Sequence, residues 1–409
     1  MNMQQKIADR VKSVPPSGIR KFFDIVSEMK DAISLGVGEP DFVTPWRIRE
    51  ASIYSIEKGK TYYTSNWGTI ELRQAIARYL KERYNIGYSF KDEIVVTVGA
   101  SEAIDLALRA ILNPGDEVLV PEPSYVSYMP CVTFAGGNAV KVICEAKDEF
   151  RLKPENLTDK INSKTKALIL PYPNNPTGAV MRKDDLLLIA ECIRDTDIIV
   201  ISDEIYSELT YGGIPHVSFA SIPGMKERTI VLNGFSKAFA MTGWRIGYAA
   251  GDPDLIGAMV KIHQYTMLCA SVMGQIAALE ALNGGFTNDF EDVRNMTKQY
   301  DMRRRVIVKG FNDMGLDCFE PMGAFYAFPC IKSTGLTSEE FCERLLLSEK
   351  VAVVPGTAFG ESGEGYIRCS YAYSIESINE ALKRIKTFLA KHRNIGDGSI
   401  DGTDLLITV

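Results

Sequence analysis

The sequence predicts an α/β fold, in which a mostly parallel sheet flanked by helices forms a large domain and a smaller α+β domain lies beside it. Three observations carry the prediction. From about residue 94, short β-branched runs alternate with amphipathic stretches, the alternation expected of a parallel sheet covered on both faces. Polar, Gly- and Pro-rich motifs follow those runs, where loops at the carboxyl ends of such strands usually bind ligands. Beyond about residue 320 the texture changes to short strand-like pieces separated by two long helical stretches.

Taken in order, residues 93–98 (EIVVTV) read as a strand, and 101–112, after Gly99, carry apolar residues at helical spacing. Further strands are predicted at 117–120, 139–144, 167–170, 198–202, 229–232 and 245–250, with a helix over 183–194. Five motifs fall at strand ends: GAS, PEPSY, NNPTG, DEIY and GFSK. One such placement could be chance, but five point to one site. Helical patterns follow at 271–282 and 290–314, the latter with a basic patch at Arg303, Arg304 and Arg305 that reads as a solvated helix face. GAFYAFP, a helix over 338–350, VAVVPG, YIRCSYA and a helix over 375–392 complete the smaller lobe. The boundaries expected are 46–295 for the large domain, 1–45 with 296–392 for the small one, and 393–409 for an exposed C-terminal extension.

Composition narrows the function. With 46 Lys plus Arg against 52 Asp plus Glu, a net charge of −6 and no basic block, neither a nucleic-acid partner nor a membrane surface is expected. No apolar run approaches the ~18 residues of a bilayer span, and MNMQQKIADRVKS lacks the apolar centre of a signal peptide. The eight cysteines are scattered without a C-x-x-C pair, so reduced, mostly buried thiols and a cytoplasmic location are expected. The three histidines (216, 263 and 392) match no ligand spacing, and no metal is expected. The chemistry must come from Lys, Asp, Tyr, Arg or a bound cofactor.

The most informative stretch is SKAFAMTGWR, residues 236–245. Lys237 follows an apolar strand and sits in a segment almost free of other charge, and a desolvated lysine keeps some neutral amine for imine formation with an aldehyde. Ser236 and Arg245 supply the hydroxyl and guanidinium suited to a phosphate monoester. An imine-forming lysine beside phosphate donors implies pyridoxal phosphate. Asp203, at the end of the strand IIVIS, is either a helix cap or the carboxylate that keeps a pyridine nitrogen protonated so that the ring can accept electrons. Tyr206 and Asn175 can each meet the ring's phenolic oxygen.

The sequence resembles the class I/II aminotransferases, of the aspartate and aromatic aminotransferase type within the fold-type I pyridoxal-phosphate enzymes. The resemblance covers roughly 15–392. It rests on SLGVGEPDF, YYTSNWGTIELR, VTVGASEAI, PEPSY, PYPNNPTG, SDEIY, SKAFAMTGWRIGY, GAFY and YIRCSYA. It implies that Lys237 holds the cofactor and shuttles the proton, Asp203 pairs with the ring nitrogen, and Tyr206 and Asn175 meet the ring oxygen. By the same resemblance Tyr125 would stack on the ring, and Ala100 and Ser101 would hold the phosphate at a helix N-terminus, where anions are favoured. Tyr63 would reach the phosphate of a partner subunit in a homodimer with shared sites. Arg368, assisted by Gly38, would clamp the substrate α-carboxylate with its planar fork.

The implied reaction is ping-pong transfer of an amino group from an L-amino acid to a 2-oxo acid. Ser101 stands where some acidic-substrate relatives have lysine, and SGIRKF (residues 17–22) resembles a substrate-bordering loop, so Arg20 could meet a distal carboxylate. SDEIYSELTY, KIHQY and GAFYAFPCIKS resemble enzymes acting on N-acetyl-diaminopimelate or aromatic amino acids; aspartate, aromatic and N-acetyl-diaminopimelate substrates all stay open. The same core motifs serve carbon–sulfur lyases and aminocyclopropane-carboxylate synthases, the alternative reading. An aminotransferase-like effector domain of a transcription regulator would need a DNA-binding module upstream, and no helix-turn-helix fits the residues before SLGVGEP.

Overall fold

The computed structural model describes residues 2–16, 29 and 31–396, with side chains through 392; Arg20 and most of the expected C-terminal extension lie outside these. Twelve strands are present among the described residues. In chain order they are β1 (Ile33–Ser34), β2 (Ile94–Thr97), β3 (Glu117–Glu122), β4 (Asn138–Ile143), β5 (Thr165–Leu170), β6 (Ile199–Asp203), β7 (Thr229–Gly234), β8 (Gly247–Ala250), β9 (Tyr326–Ala327), β10 (Val351–Ala352), β11 (Val354–Pro355) and β12 (Ile367–Ser370).

Seven of them form one sheet in the order β2-β8-β7-β6-β5-β3-β4. The pairs from β4 through β7 are parallel, while β8 runs antiparallel to both β7 and β2. In the inner strands the apolar runs are near-continuous because both faces are covered, whereas the edge strand β4 is mostly unburied. Side chains alternate across the sheet: Val95, Val118, Ile169, Ile201 and Ile230 enter one core, whereas Ile94, Val96 and Val231 enter a second and Leu119, Leu168 and Val200 a third. The helix Gly99–Ile111 packs against β7 and β8. The predicted strands are all found, their ends shifted by up to two residues.

Three long helices escaped the sequence reading, Trp46–Glu57, Ile70–Tyr84 and Pro253–Thr266, as did the short ones Asp9–Lys12, Tyr128–Phe134 and Pro154–Thr158. The helix Pro253–Thr266 had a readable start, because Asp252 caps it and Pro253 opens it. A fourth core joins Leu35 and Tyr206 to residues of 296–389, including Phe325, Tyr326, Phe341 and Ile385. Within it β1 pairs in parallel with β10, and β12 lies antiparallel between β11 and β9.

The basic patch on the helix Glu291–Asp313 corrects one expectation. Arg303 pairs with Asp41, and Arg304 is buried, with its guanidinium on Asp301 at 2.7 Å and Glu320 at 2.6 Å. Only Arg305 is the solvated residue expected of all three. Successive helix residues are turned by about 100°, so consecutive arginines cannot share one face. Among the described residues no helix is long and apolar enough to cross a membrane.

Candidate active site

The five strand-end motifs converge on one cleft of about 960 Å³ at the carboxyl ends of the parallel strands. Lys237, three residues past β7, lines it, and its Nζ donates to the Gly38 carbonyl at 2.7 Å. Burial is the main cause that lowers this amine from 10.5 to about 8; Glu39 and Asp203 oppose that shift, while Arg368 and Arg245 add to it. Lys237 therefore keeps an appreciable neutral fraction near neutral pH.

Asp203 ends β6 and is 5% exposed. Its Oδ2 accepts from the Tyr128 hydroxyl at 2.8 Å, and its Oδ1 accepts from the Ile205 N–H at 3.2 Å. Burial still pushes the carboxyl up to about 6, against both hydrogen bonds. Asp203 is not a helix cap, since no helix begins there. A cationic group facing it from the cleft would relieve the cost of its burial. The sequence points to Tyr128 only by its position three residues after Tyr125, whose ring meets it edge-on at 5.5 Å.

At one end of the cleft, Ala100 and Ser101 open the helix Gly99–Ile111 beside Ser236 and Arg245. This corner is shaped by two glycines. Gly99 has φ +74°, and a Cβ there would stand 2.3 Å from the Arg245 guanidinium. A Cβ on Gly247 would stand 2.5 Å from the Ala100 amide nitrogen. Bare backbone thus lets the Arg245 guanidinium approach the N-terminus of a 13-residue helix closely, with the Ser236 hydroxyl lining the same cleft. That donor set fits a phosphate monoester, and with the neutral amine of Lys237 it fits pyridoxal phosphate.

At the other end, Arg368 of β12 is 3% exposed. Its Nη1 donates to Asn175 Oδ1 at 2.9 Å and its Nη2 to the Gly36 carbonyl at 2.5 Å, while its buried Nε has no partner among the described residues. Tyr206 and Tyr125 line the wall between the two ends. Tyr326, the last residue of GAFY, lies in the same wall, with its hydroxyl 2.8 Å from that of Tyr206; no role for it follows from the sequence.

Tyr63 stands apart. It is 80% exposed and does not line the cleft of its own chain. Among the described residues no cluster of His, Cys, Asp and Glu could hold a metal ion.

Residues 30–385 match the family described as Aminotransferase class I and II. The chain is 48% identical to the aspartate aminotransferase of Pyrococcus abyssi over 387 residues, covering 95% of this chain and 99% of that protein. It is 44% identical to aromatic-amino-acid aminotransferase 2 of Thermococcus litoralis over 387 residues, with the same coverage. The crystal structure of an aromatic aminotransferase from Pyrococcus horikoshii OT3 superposes with a TM-score of 0.87 at 47% identity, covering 92% of this chain and 99% of that one. These relatives are transaminases, and they do not favour the lyase or cyclising alternative. The chain belongs to the class I and II aminotransferases and is a pyridoxal-phosphate-dependent transaminase.

Proposed function

We propose that the cleft is the transamination site, with each group assigned above acting in it. The observation that supports this most directly is the convergence of a partly neutral lysine, a buried carboxylate and a glycine-shaped phosphate corner in one cavity. When bound, pyridoxal phosphate supplies an aldehyde that takes up the amino group and a ring that accepts electrons from the substrate Cα. The chain's own residues do the rest. Ala100, Ser101, Ser236 and Arg245 bind the phosphate, and Tyr125 packs on the ring face. Asp203 keeps the ring nitrogen protonated, and Tyr206 and Asn175 hold the ring oxygen. Arg368, with Gly38, orients the amino acid by its α-carboxylate. Lys237 Nζ holds the cofactor at rest and then moves the proton between the substrate Cα and the cofactor's aldehyde carbon.

The active unit in this reading is a homodimer in which Tyr63 serves the neighbouring phosphate. Tyr62, Tyr63, Tyr54, Ile53 and Trp46 are exposed on one segment, and Tyr265, Met267 and Leu268 on another. Asn66 ties the two segments by donating to the Leu268 carbonyl at 2.7 Å. Exposed apolar surface on this scale marks an interaction face. The domain boundaries proposed are 46–295 for the cofactor domain and 1–45 with 296–392 for the smaller one. The eight free cysteines support a reducing, cytoplasmic setting. The amino donor is drawn from the aspartate, aromatic and N-acetyl-diaminopimelate classes, and half-reaction spectra with each would choose among them.

The assignment is tested by borohydride reduction and peptide mapping. The phosphopyridoxyl group is expected on Lys237, and finding it on another lysine would refute the site. Lys237→Ala should retain weak cofactor binding and lose at least ~10²–10⁴-fold in turnover, the usual contribution of a positioned acid/base group.

A further inference from the structure

We propose that Tyr326 is a positioning residue that sets the direction of the Tyr206 proton, an inference that rests on the cofactor-binding reading above. Tyr326 lies on β9, whose partner strand β12 carries Arg368. Its hydroxyl is 2.8 Å from that of Tyr206, and this is the hydroxyl's one hydrogen bond among the described residues. Either oxygen can donate in the protein as described. The choice is removed once Tyr206 faces an acceptor in the cleft. A phenol has a single proton, so if Tyr206 donates to the ring oxygen it must accept from Tyr326.

Burial makes that arrangement exclusive. Tyr326 is 1% and Tyr206 5% exposed, so water has little access to take the place of either phenol. Desolvation also raises both phenols above their ordinary value, which keeps both protons in place across the working range.

Two neighbours hold Tyr326 where this requires. The Arg368 guanidinium carbon stands 4.5 Å from the Tyr326 ring centroid, a cation–π distance. The second neighbour is Gly38, where a Cβ would fall 2.2 Å from the Tyr326 hydroxyl oxygen. The hydroxyl thus occupies the space a side chain at residue 38 would fill. The Gly38 carbonyl in turn accepts from Lys237. One phenol therefore contacts the carboxylate clamp, the ring-oxygen donor and the backbone that receives the lysine.

The test uses the cofactor-loaded enzyme without substrate and reads the pH midpoint at which the bound cofactor changes its absorbance. A donor to the ring oxygen favours its anion and so favours loss of the proton shared with the Lys237 nitrogen; weakening that donor raises the midpoint. Tyr326→Phe keeps the ring and removes only the hydroxyl. Its midpoint should rise by roughly 0.4 to 1 pH unit, the equivalent of one net hydrogen bond. Tyr206→Phe should raise it at least as far, and the double variant should match Tyr206→Phe, because Tyr326 acts through Tyr206. An unmoved midpoint in Tyr326→Phe, or a double variant whose shift is the sum of the two singles, would overturn the proposal. If borohydride does not label Lys237 in the unmodified enzyme, the underlying site assignment fails first and the proposal with it. Labelling at Lys237 with no Tyr326 effect refutes the proposal alone.

Discussion

Asp203 gives a prediction that needs no cofactor to test. Burial moves its carboxyl from an ordinary 3.8 to about 6 in the folded protein. Below pH 3.8 the acid is protonated in both folded and unfolded chains and has no differential effect. Between 3.8 and 6 the unfolded chain has released its proton while the folded chain holds it, so stability falls as pH rises through that window. Above about 6 the loss is complete. At about 1.4 kcal/mol per pH unit it amounts to about 3 kcal/mol. Asp203→Asn removes the charge and can keep both contacts, since the Tyr128 hydroxyl can turn from donor to acceptor. The cofactor-free variant should therefore gain on the unmodified protein as pH rises from about 4 to about 6. With about 2.1 cal/mol/K of unfolding entropy per residue over 409 residues, the gain is about 3 to 4 °C in Tm. Differential scanning calorimetry of both proteins across this range measures it. The informative quantity is the change in their difference with pH, because a packing defect introduced by the substitution would offset every point equally. A difference that does not vary between about pH 4 and 7 would refute the claim that the carboxylate is held at a cost. Adding pyridoxal phosphate should reverse the order, since a protonated ring nitrogen repays the buried charge only when Asp203 is present.

Three further outcomes are expected. Arg368→Lys keeps the charge but loses the planar fork, so KM for the amino acid should rise roughly 10- to 100-fold, as for losing a charged hydrogen bond, with kcat changed much less. Gly99→Ala places a methyl against the Arg245 guanidinium on a φ +74° backbone; cofactor affinity by equilibrium titration should fall roughly 10- to 100-fold, and an unchanged Kd would remove Arg245 from the phosphate site. Mixing Tyr63→Phe with Lys237→Ala subunits should recover turnover above either homodimer, because one of the two sites in each hybrid is intact. Hybrids demonstrated by mass with no recovery would show that Tyr63 does not serve a neighbouring site.

What the sequence disclosed depended on whether the physics was local. Strands β2, β5, β6 and β7 were legible because strands buried on both faces carry near-continuous apolar runs, and the sheet's alternation into separate cores follows from the pleat. The cleft was legible because five motifs share one topological position, and Lys237, Asp203, Tyr206, Arg245 and Arg368 all line it. Arg304 was misread because three adjacent charges look alike in a string, while the helix sends one of them inward to Asp301 and Glu320. Tyr128 carried only its spacing from Tyr125, and Tyr326 only its place in GAFY, which does not report its role. Their hydroxyls matter through partners far along the chain, Asp203 for one and Tyr206 for the other, and nothing in local spacing reports such a meeting.

Gly38 shows the same limit from the opposite side. Its motif, GVGEP, could be recognised, but the reason for a glycine there is the Tyr326 hydroxyl in the space of its missing Cβ. Gly38→Ala should therefore act at a distance from its own backbone. The methyl cannot coexist with that hydroxyl at 2.2 Å, so either Tyr326 withdraws from Tyr206 or the strap carrying Gly38 lifts and takes its carbonyl from Lys237. The two responses are separable. Withdrawal of Tyr326 should reproduce the raised absorbance midpoint of Tyr326→Phe and add nothing in its presence. Lifting of the strap should instead alter the rate of borohydride reduction at Lys237, and a Gly38→Ala enzyme that changes neither would mean that the contact is not tight enough to constrain the site.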